Sequence, residues 1–226
     1  MKKYFLAIFL WLSAFVPIFA QKIQILPIPQ QVEKGTGVLR ITKKFNFEIS
    51  NLPSNKILHA VKRLQENWEK KTLKKVSNVS SAPSDLELQV DEKWEGRSSS
   101  TEEYQLQIQS KIIVKAKSDV GILHGLESLA QLIQSDSVGY FLPQVKISDW
   151  PRFGHRGLMV DVARHFIPVD QILRSIDAMA SSKMNVLHLH LSDDEGFRIE
   201  SKKFPLLHGK GSNGEFFTQT DIAKIV

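Results

Sequence analysis

Two stretches decide the fold, Gly157-Leu158-Met159-Val160-Asp161-Val162 and Asn185-Val186-Leu187-His188-Leu189-His190-Leu191. The first is a nearly continuous apolar run, typical of a parallel strand that is buried on both faces, and the second is predicted to be another strand. Between them, apolar residues recur at helical spacing after Pro168, and residues 220–226 resemble the start of another helix. This alternation predicts an open doubly wound sheet or a (β/α)8 barrel. The first strand lacks a following Gly-rich phosphate loop, which argues against a dinucleotide-binding sheet.

Polar side chains follow both predicted strands. Arg164 and His165 come just past the first strand, and the acidic run 193–195 comes just past the second. Because active sites of parallel βα folds lie at the carboxyl ends of the strands, we expect these groups to meet on one rim. Strand alternation separates a face that packs on helices, with Leu187, Leu189 and Leu191, from an inward face with Met159, Asp161, Val186, His188 and His190.

Spacing alone leaves four interpretations of these residues open. His188, His190 and Asp193 have the residue types of a zinc site. The acidic run 193–195, Asp193-Asp194-Glu195, could supply the paired carboxylates of a glycosidase. Arg164 with a carboxylate could bind sugar hydroxyls without bond chemistry. Finally, Arg164 and Asp193 could be no more than a structural ion pair.

Residues 21–148 follow a different pattern. Helical spacing predicts one helix from Ile57 to Trp68 and another from the N-cap Asp119 through Gln134. Short alternating runs predict strands at 38–41, 45–49, 86–90, 104–108, 112–114 and near Val145. The order predicts an α+β domain, one sheet with helices on one face. We therefore expect two domains after the first twenty residues, 21–148 and 149–226.

The N-terminus and the composition indicate the compartment. Lys2-Lys3, the apolar segment from Tyr4 to Phe15, and Pro17 before Ala20 predict a signal peptide at 1–20, with an uncleaved membrane span as the alternative. The 226 residues include no Cys, which excludes disulfides, thiolate metal sites and a lipoprotein anchor. The net charge of +6, or +4 without Lys2-Lys3, is scattered, so nucleic acid is not an expected partner. We expect an exported protein, periplasmic or extracellular, without a stable membrane anchor.

Three motifs carry a family resemblance. They are DWPRFGHRGLMVDVARHF at 149–166, DAMA at 177–180 followed by Lys183 and Asn185, and HLHLSDD at 188–194. These motifs resemble the β-N-acetylhexosaminidases of glycoside hydrolase family 20. The similarity continues through 204–207 and 217–222, and residues 125–132 resemble that family's small N-terminal α+β domain. One departure is Glu195-Gly196-Phe197-Arg198, where the family commonly has Gln-Gly-Trp-Arg.

The resemblance implies hydrolysis that removes a terminal N-acetylhexosamine from glycans ending in N-acetylglucosamine or N-acetylgalactosamine. In that family the N-acetyl oxygen of the substrate attacks the anomeric carbon, an Asp stabilises the oxazolinium, and an adjacent Glu is the acid and base. This chemistry requires no metal and no other cofactor. Arg164 matches an Arg that binds sugar hydroxyls, and Asp193 matches an Asp of the supporting polar network. Asp161 and His165 are then candidates to contact the sugar-binding residues and hold them in place.

The family's catalytic Asp-Glu pair lies in a downstream His-x-Gly-Gly-Asp-Glu motif, which does not occur in these 226 residues. Only 70 residues extend from Gly157 to Val226, whereas a (β/α)8 barrel takes about 250. We therefore expect an incomplete barrel with its first two βα units, without catalytic carboxylates and inactive alone. The alternative is a non-catalytic secreted protein that binds carbohydrate or is a remnant.

Overall fold

The computed structural model describes residues 23–41, 47–48, 54–73 and 85–226, so the predicted signal peptide at 1–20 lies outside the described residues. Within these ranges, no helix combines the length and apolar character that crossing a bilayer requires. The described elements are β1 (Gln31–Arg40), β2 (Phe47–Glu48), α1 (Asn55–Thr72), β3 (Leu86–Val90), β4 (Tyr104–Ile108), β5 (Ile112–Ala116), α2 (Asp119–Gln131), β6 (Gln134–Asp136), β7 (Gly139–Asp149), β8 (Gly157–Asp161), α3 (Val169–Ser181), β9 (Val186–His190), β10 (Ser192–Asp193), β11 (Gly196–Phe197), α4 (Pro205–Gly211) and α5 (Gln219–Ile225).

The first nine described elements up to β7 form one mixed sheet with two helices packed against it. The strand order is β1-β7-β4-β5-β3-β2, and β6 pairs with β7. Strand β4 shows why one face is covered: Leu106 and Ile108 are fully buried, whereas Gln105 and Gln107 remain partly exposed. The buried residues join the side chains of α1 and α2, including Trp68 of α1, in one apolar cluster. The predicted sheet with helices is confirmed.

Element ends differ from the sequence-based expectations in three places. Helix α2 is capped by Ser118 rather than Asp119, because the Ser118 hydroxyl accepts the Gly121 N–H at 3.3 Å. Strand β1 begins at Gln31, seven positions before the predicted start, and its pairing register with β7 shifts between Lys34 and Val38. This irregularity explains why simple alternation did not find it. Helix α2 ends at Gln131 and Gln134 begins β6, so the predicted helix end at Gln134 was wrong. Of the strand predicted at 45–49, only Phe47–Glu48 lies within the described residues, and these two residues form β2.

The later elements place β8 beside β9 in parallel, with Met159 opposite His188 and Asp161 opposite His190. The face away from these side chains packs on a second apolar cluster built around Val162, Ile172 and Phe217, joined by Leu187, Leu189 and Leu191. That division between the two faces confirms the predicted alternation. Burial of β8 on both faces was a wrong prediction for the described chain, because Met159 is 59% exposed and no described element covers it.

Buried polar contacts join the sheet to the β8–β9 unit. Lys183, just after α3, donates from Nζ to the Tyr104 hydroxyl and to Asp149 Oδ2, both at 2.8 Å. Arg156, just before β8, pairs with Glu102. A cavity of about 380 Å³ opens beside these contacts. The junction is therefore charged and hydrogen-bonded in addition to apolar.

Candidate functional site

Arg164 lies just past the carboxyl end of β8, between two acidic side chains. Its Nη1 donates to Asp161 Oδ2 at 2.5 Å, and its Nη2 donates to Asp193 Oδ2 at 2.7 Å. Asp161 is the last residue of β8, and Asp193 lies just beyond β9. Because β8 and β9 are parallel neighbours, their carboxyl ends meet at one edge, as the sequence predicted.

The chain forms a tight turn after β8 that directs Arg164 toward Asp193. The N–H groups of Val162 and Ala163 both donate to the His190 carbonyl, at 3.2 and 3.1 Å. Asp161 Oδ1 then accepts the Arg164 N–H at 3.1 Å, so one carboxylate binds both the backbone and the guanidinium of Arg164. These hydrogen bonds attach the turn to the end of β9 and to the end of β8.

A small hairpin positions Asp193. Strands β10 and β11 are antiparallel, with Ser192 opposite Phe197 and Asp193 opposite Gly196. Asp193 Oδ1 accepts the Asp194 N–H at 2.9 Å, and Oδ2 lies 2.9 Å from His190 Nε2. Sequence reasoning treated His190 as a zinc-ligand candidate and missed this contact, although its inward position on β9 and the three-residue spacing to Asp193 could have indicated it.

The electrostatics keep the site ionised at neutral pH. The hydrogen bond from His190, the Asp194 N–H and the Arg164 charge lower the pKa of Asp193 to about 2. The Arg164 N–H and then its guanidinium lower the pKa of Asp161, and the same contact with Asp161 raises the pKa of Arg164. Both carboxylates are therefore negative and Arg164 is positive at neutral pH.

The arrangement suits recognition of neighbouring hydroxyl groups. The Arg164 side chain is 57% exposed although its carboxylate partners fix its plane. A guanidinium has five N–H donors in one rigid plane, so donors remain for a ligand after the two short carboxylate bonds are made. Glu195 Oε1 lies 3.8 Å from Arg164 Nε, at the open side. The site can thus offer a preoriented cation flanked by acceptors.

Two other sequence-based candidates fall outside this arrangement. His165 is exposed and is not among the described side chains that contact Arg164 or Asp193. The hypothetical zinc set is not assembled either: among the described residues, the group with metal-ligand spacing is Asp193, Asp194 and Glu195, without either histidine of β9. The pKa of Glu195 is raised because Asp194 lies against it. Sequence reasoning also missed Arg198, which is buried beneath the site.

Comparison with known proteins agrees with this geometry. Residues 22–150 match the family model "Glycosyl hydrolase family 20, domain 2", and residues 153–226 match "Glycosyl hydrolase family 20, catalytic domain". The β-hexosaminidase subunit beta of Mus musculus is 44% identical over 132 residues, which cover 57% of this chain and 25% of the mouse protein.

Solved structures give the same result. A chitobiase from Flavobacterium johnsoniae superposes with a TM-score of 0.80 at 39% identity, over 89% of this chain and 32% of that one. An exo-β-N-acetylglucosaminidase from Vibrio harveyi, solved with N-acetylglucosamine, gives a TM-score of 0.78 at 27% identity over 89% of this chain and 33% of that one. The chain thus spans about a quarter to a third of these relatives. Because the two family models together match nearly all of its residues, the chain belongs to glycosyl hydrolase family 20.

Proposed function

We propose that this chain supplies the terminal-sugar recognition part of an exported β-N-acetylhexosaminidase. Residues 21–148 would form the α+β domain, and residues 149–226 would contribute the first two βα units of a (β/α)8 barrel. The two separate family-model matches, 22–150 and 153–226, support this division. The parallel β8–β9 pair with α3 between its strands supports the barrel assignment.

The observation that carries the proposal is the fixed and partly open guanidinium of Arg164. Asp161 and Asp193 determine its plane, and more than half of its side chain faces solvent. Vicinal hydroxyls of a pyranose ring present two oxygens at the spacing that a planar donor pair can bind. The N-acetylglucosamine complex of the Vibrio harveyi relative supports N-acetylglucosamine as the sugar, and N-acetylgalactosamine is the second candidate.

The reaction would be substrate-assisted retaining hydrolysis. In this scheme the described residues bind and orient the terminal sugar, and Asp161 and Asp193 keep Arg164 in place. The acid and base would come from an Asp-Glu pair that these 226 residues do not contain in the family's motif. The alternative function is carbohydrate binding without hydrolysis. A longer reading frame at the same locus that encodes the His-x-Gly-Gly-Asp-Glu motif would support hydrolysis over this alternative.

Binding of N-acetylglucosamine to the purified chain, followed by NMR titration, tests the proposal. We expect Arg164→Lys to weaken binding about tenfold or more, because an ammonium cannot replace paired charge-assisted hydrogen bonds worth roughly 1.5–3 kcal/mol each. Arg174→Lys is the matched control, since Arg174 is also exposed and ion-paired, with Asp170 at 2.8 Å. If the Arg164→Lys variant and the original chain bind N-acetylglucosamine with equal affinity, Arg164 and Asp193 form only a structural ion pair.

A further inference from the structure

Arg198 lies buried beneath the candidate site and binds backbone carbonyl groups. It follows β11 and is 6% exposed. Its Nε and Nη2 donate to the Ala163 carbonyl at 3.2 and 3.1 Å. Its Nη1 donates to the carbonyls of Ser212 and Glu215 at 2.7 and 3.2 Å. One side chain therefore ties the turn after β8 to the loop that follows α4.

The Ala163 carbonyl is part of the peptide bond that leads into Arg164. A peptide unit is planar, so the direction of its oxygen determines the direction of the N–H at its other end. That N–H is the Arg164 N–H bound by Asp161 at 3.1 Å. Arg198 and Asp161 thus hold opposite ends of one rigid plane, and this plane sets where the Arg164 side chain starts.

The same guanidinium also supports the hairpin that carries Asp193. Gly196 is the hairpin partner of Asp193, and a Cβ built at Gly196 would lie 2.7 Å from Arg198 Cζ and 2.9 Å from the Ala163 oxygen. Arg198 fits under the hairpin only because position 196 has no side chain. Independently of the side chain, the backbone N–H of residue 198 donates to the Leu191 carbonyl at 2.8 Å, which joins the hairpin to the end of β9.

We propose that Arg198 is a positioning residue for sugar recognition, which sets the separation and orientation of Arg164 and Asp193 through the Ala163 peptide and the β10–β11 hairpin. This inference rests on the proposed function, in which Arg164 binds the sugar. An Arg suits the position because its planar, weakly hydrated cation can donate to several carbonyls in fixed directions. A Lys has a compact ammonium and cannot reproduce the fork to Ala163.

The test compares Arg198→Met and Arg198→Lys with the original chain by two measurements on the folded protein. Carboxyl carbon NMR gives the pKa values of Asp161 and Asp193, and titration with N-acetylglucosamine gives the dissociation constant. In Arg198→Met we expect both carboxyl pKa values to rise as Arg164 moves away. We expect the dissociation constant to rise about tenfold, and the Lys variant to lie between. Arg174→Met, which removes an exposed Arg, should leave both measurements unchanged.

These measurements separate positioning from general stability. Loss of the Arg198 charge would by itself raise nearby carboxyl pKa values, so the charge-preserving Arg198→Lys variant shows whether the rise comes from movement of Arg164. A residue that only stabilises the fold would lower the free energy of unfolding without changing the carboxyl pKa values in Arg198→Lys. Unchanged pKa values in folded Arg198→Met would overturn the proposal, even if the chain binds N-acetylglucosamine. If that variant does not fold, Arg198→Lys decides by the same criterion. If the original chain binds no N-acetylglucosamine, the proposed function fails, while shifted carboxyl pKa values would still support the positioning role.

Discussion

Replacing Lys183 by Met should destabilise the chain by about 3 kcal/mol, because it leaves the buried Asp149 carboxylate without its positively charged partner. The side chains of Lys183 and Asp149 are 6% and 10% exposed, and the ammonium lies 2.8 Å from Asp149 Oδ2. Removing one partner of a buried pair typically costs about 3–5 kcal/mol. We place the effect at the low end because Asp149 also accepts hydrogen bonds from the Tyr104 hydroxyl at 3.0 Å and the Gln30 N–H at 3.1 Å.

A double-mutant cycle in urea isolates the pair. We expect Lys183→Met with Asp149→Asn to be less destabilising than the sum of the single changes, by about 2 kcal/mol. Lys224→Met is the control, since its exposed pair with Asp221 should contribute less than about 1 kcal/mol. Limited proteolysis of Lys183→Met should also release the segment after about Trp150 sooner than in the original chain. Additive single effects, or a Lys183→Met variant as stable as the control, would refute the reasoning.

Three further predictions follow from the site and from the junction. The purified 226-residue chain should release no more product from an aryl N-acetyl-β-glucosaminide than a heat-killed sample; clear turnover would indicate that the run 193–195 supplies the acid. His124 of α2 lies at the junction, with its Nδ1 3.6 Å from Glu102 Oε2, and burial lowers its pKa to about 4. The unfolded chain therefore binds more protons between pH 4 and 6.5, and stability should fall by about 3 kcal/mol over that interval as pH decreases. Urea unfolding of His124→Gln should lack this loss, and an identical pH profile would contradict the assignment. Because the pKa of Asp193 is about 2, its contact with Arg164 should persist at pH 4 and be lost only as pH falls through about 2; an Asp193 carboxyl that titrates near 4 by NMR would contradict this.

Local patterns in the sequence were sufficient for most of the longer elements and for half of the site, but they did not indicate β6, the β10–β11 hairpin or α4. The two-residue period of β9 assigned Leu187 and Leu189 to the packed face, and the structure confirms this. The positions of Arg164 and Asp193 just after two parallel strands predicted their meeting, because strand ends of one parallel pair share an edge. The motifs also indicated the family, which the comparisons confirm.

Only the tertiary structure decided how these groups are held. Arg198 binds Ala163 from 35 positions away, and Lys183 reaches Tyr104 from 79 positions away, so no local period or spacing encodes either contact. The exposure of Met159 could not be predicted from the sequence either. The strand pattern indicates which face Met159 lies on, but whether another element covers that face depends on how distant elements pack. Periodicity determines faces and strand ends through local geometry, whereas buried polar contacts depend on the folded chain bringing remote residues together.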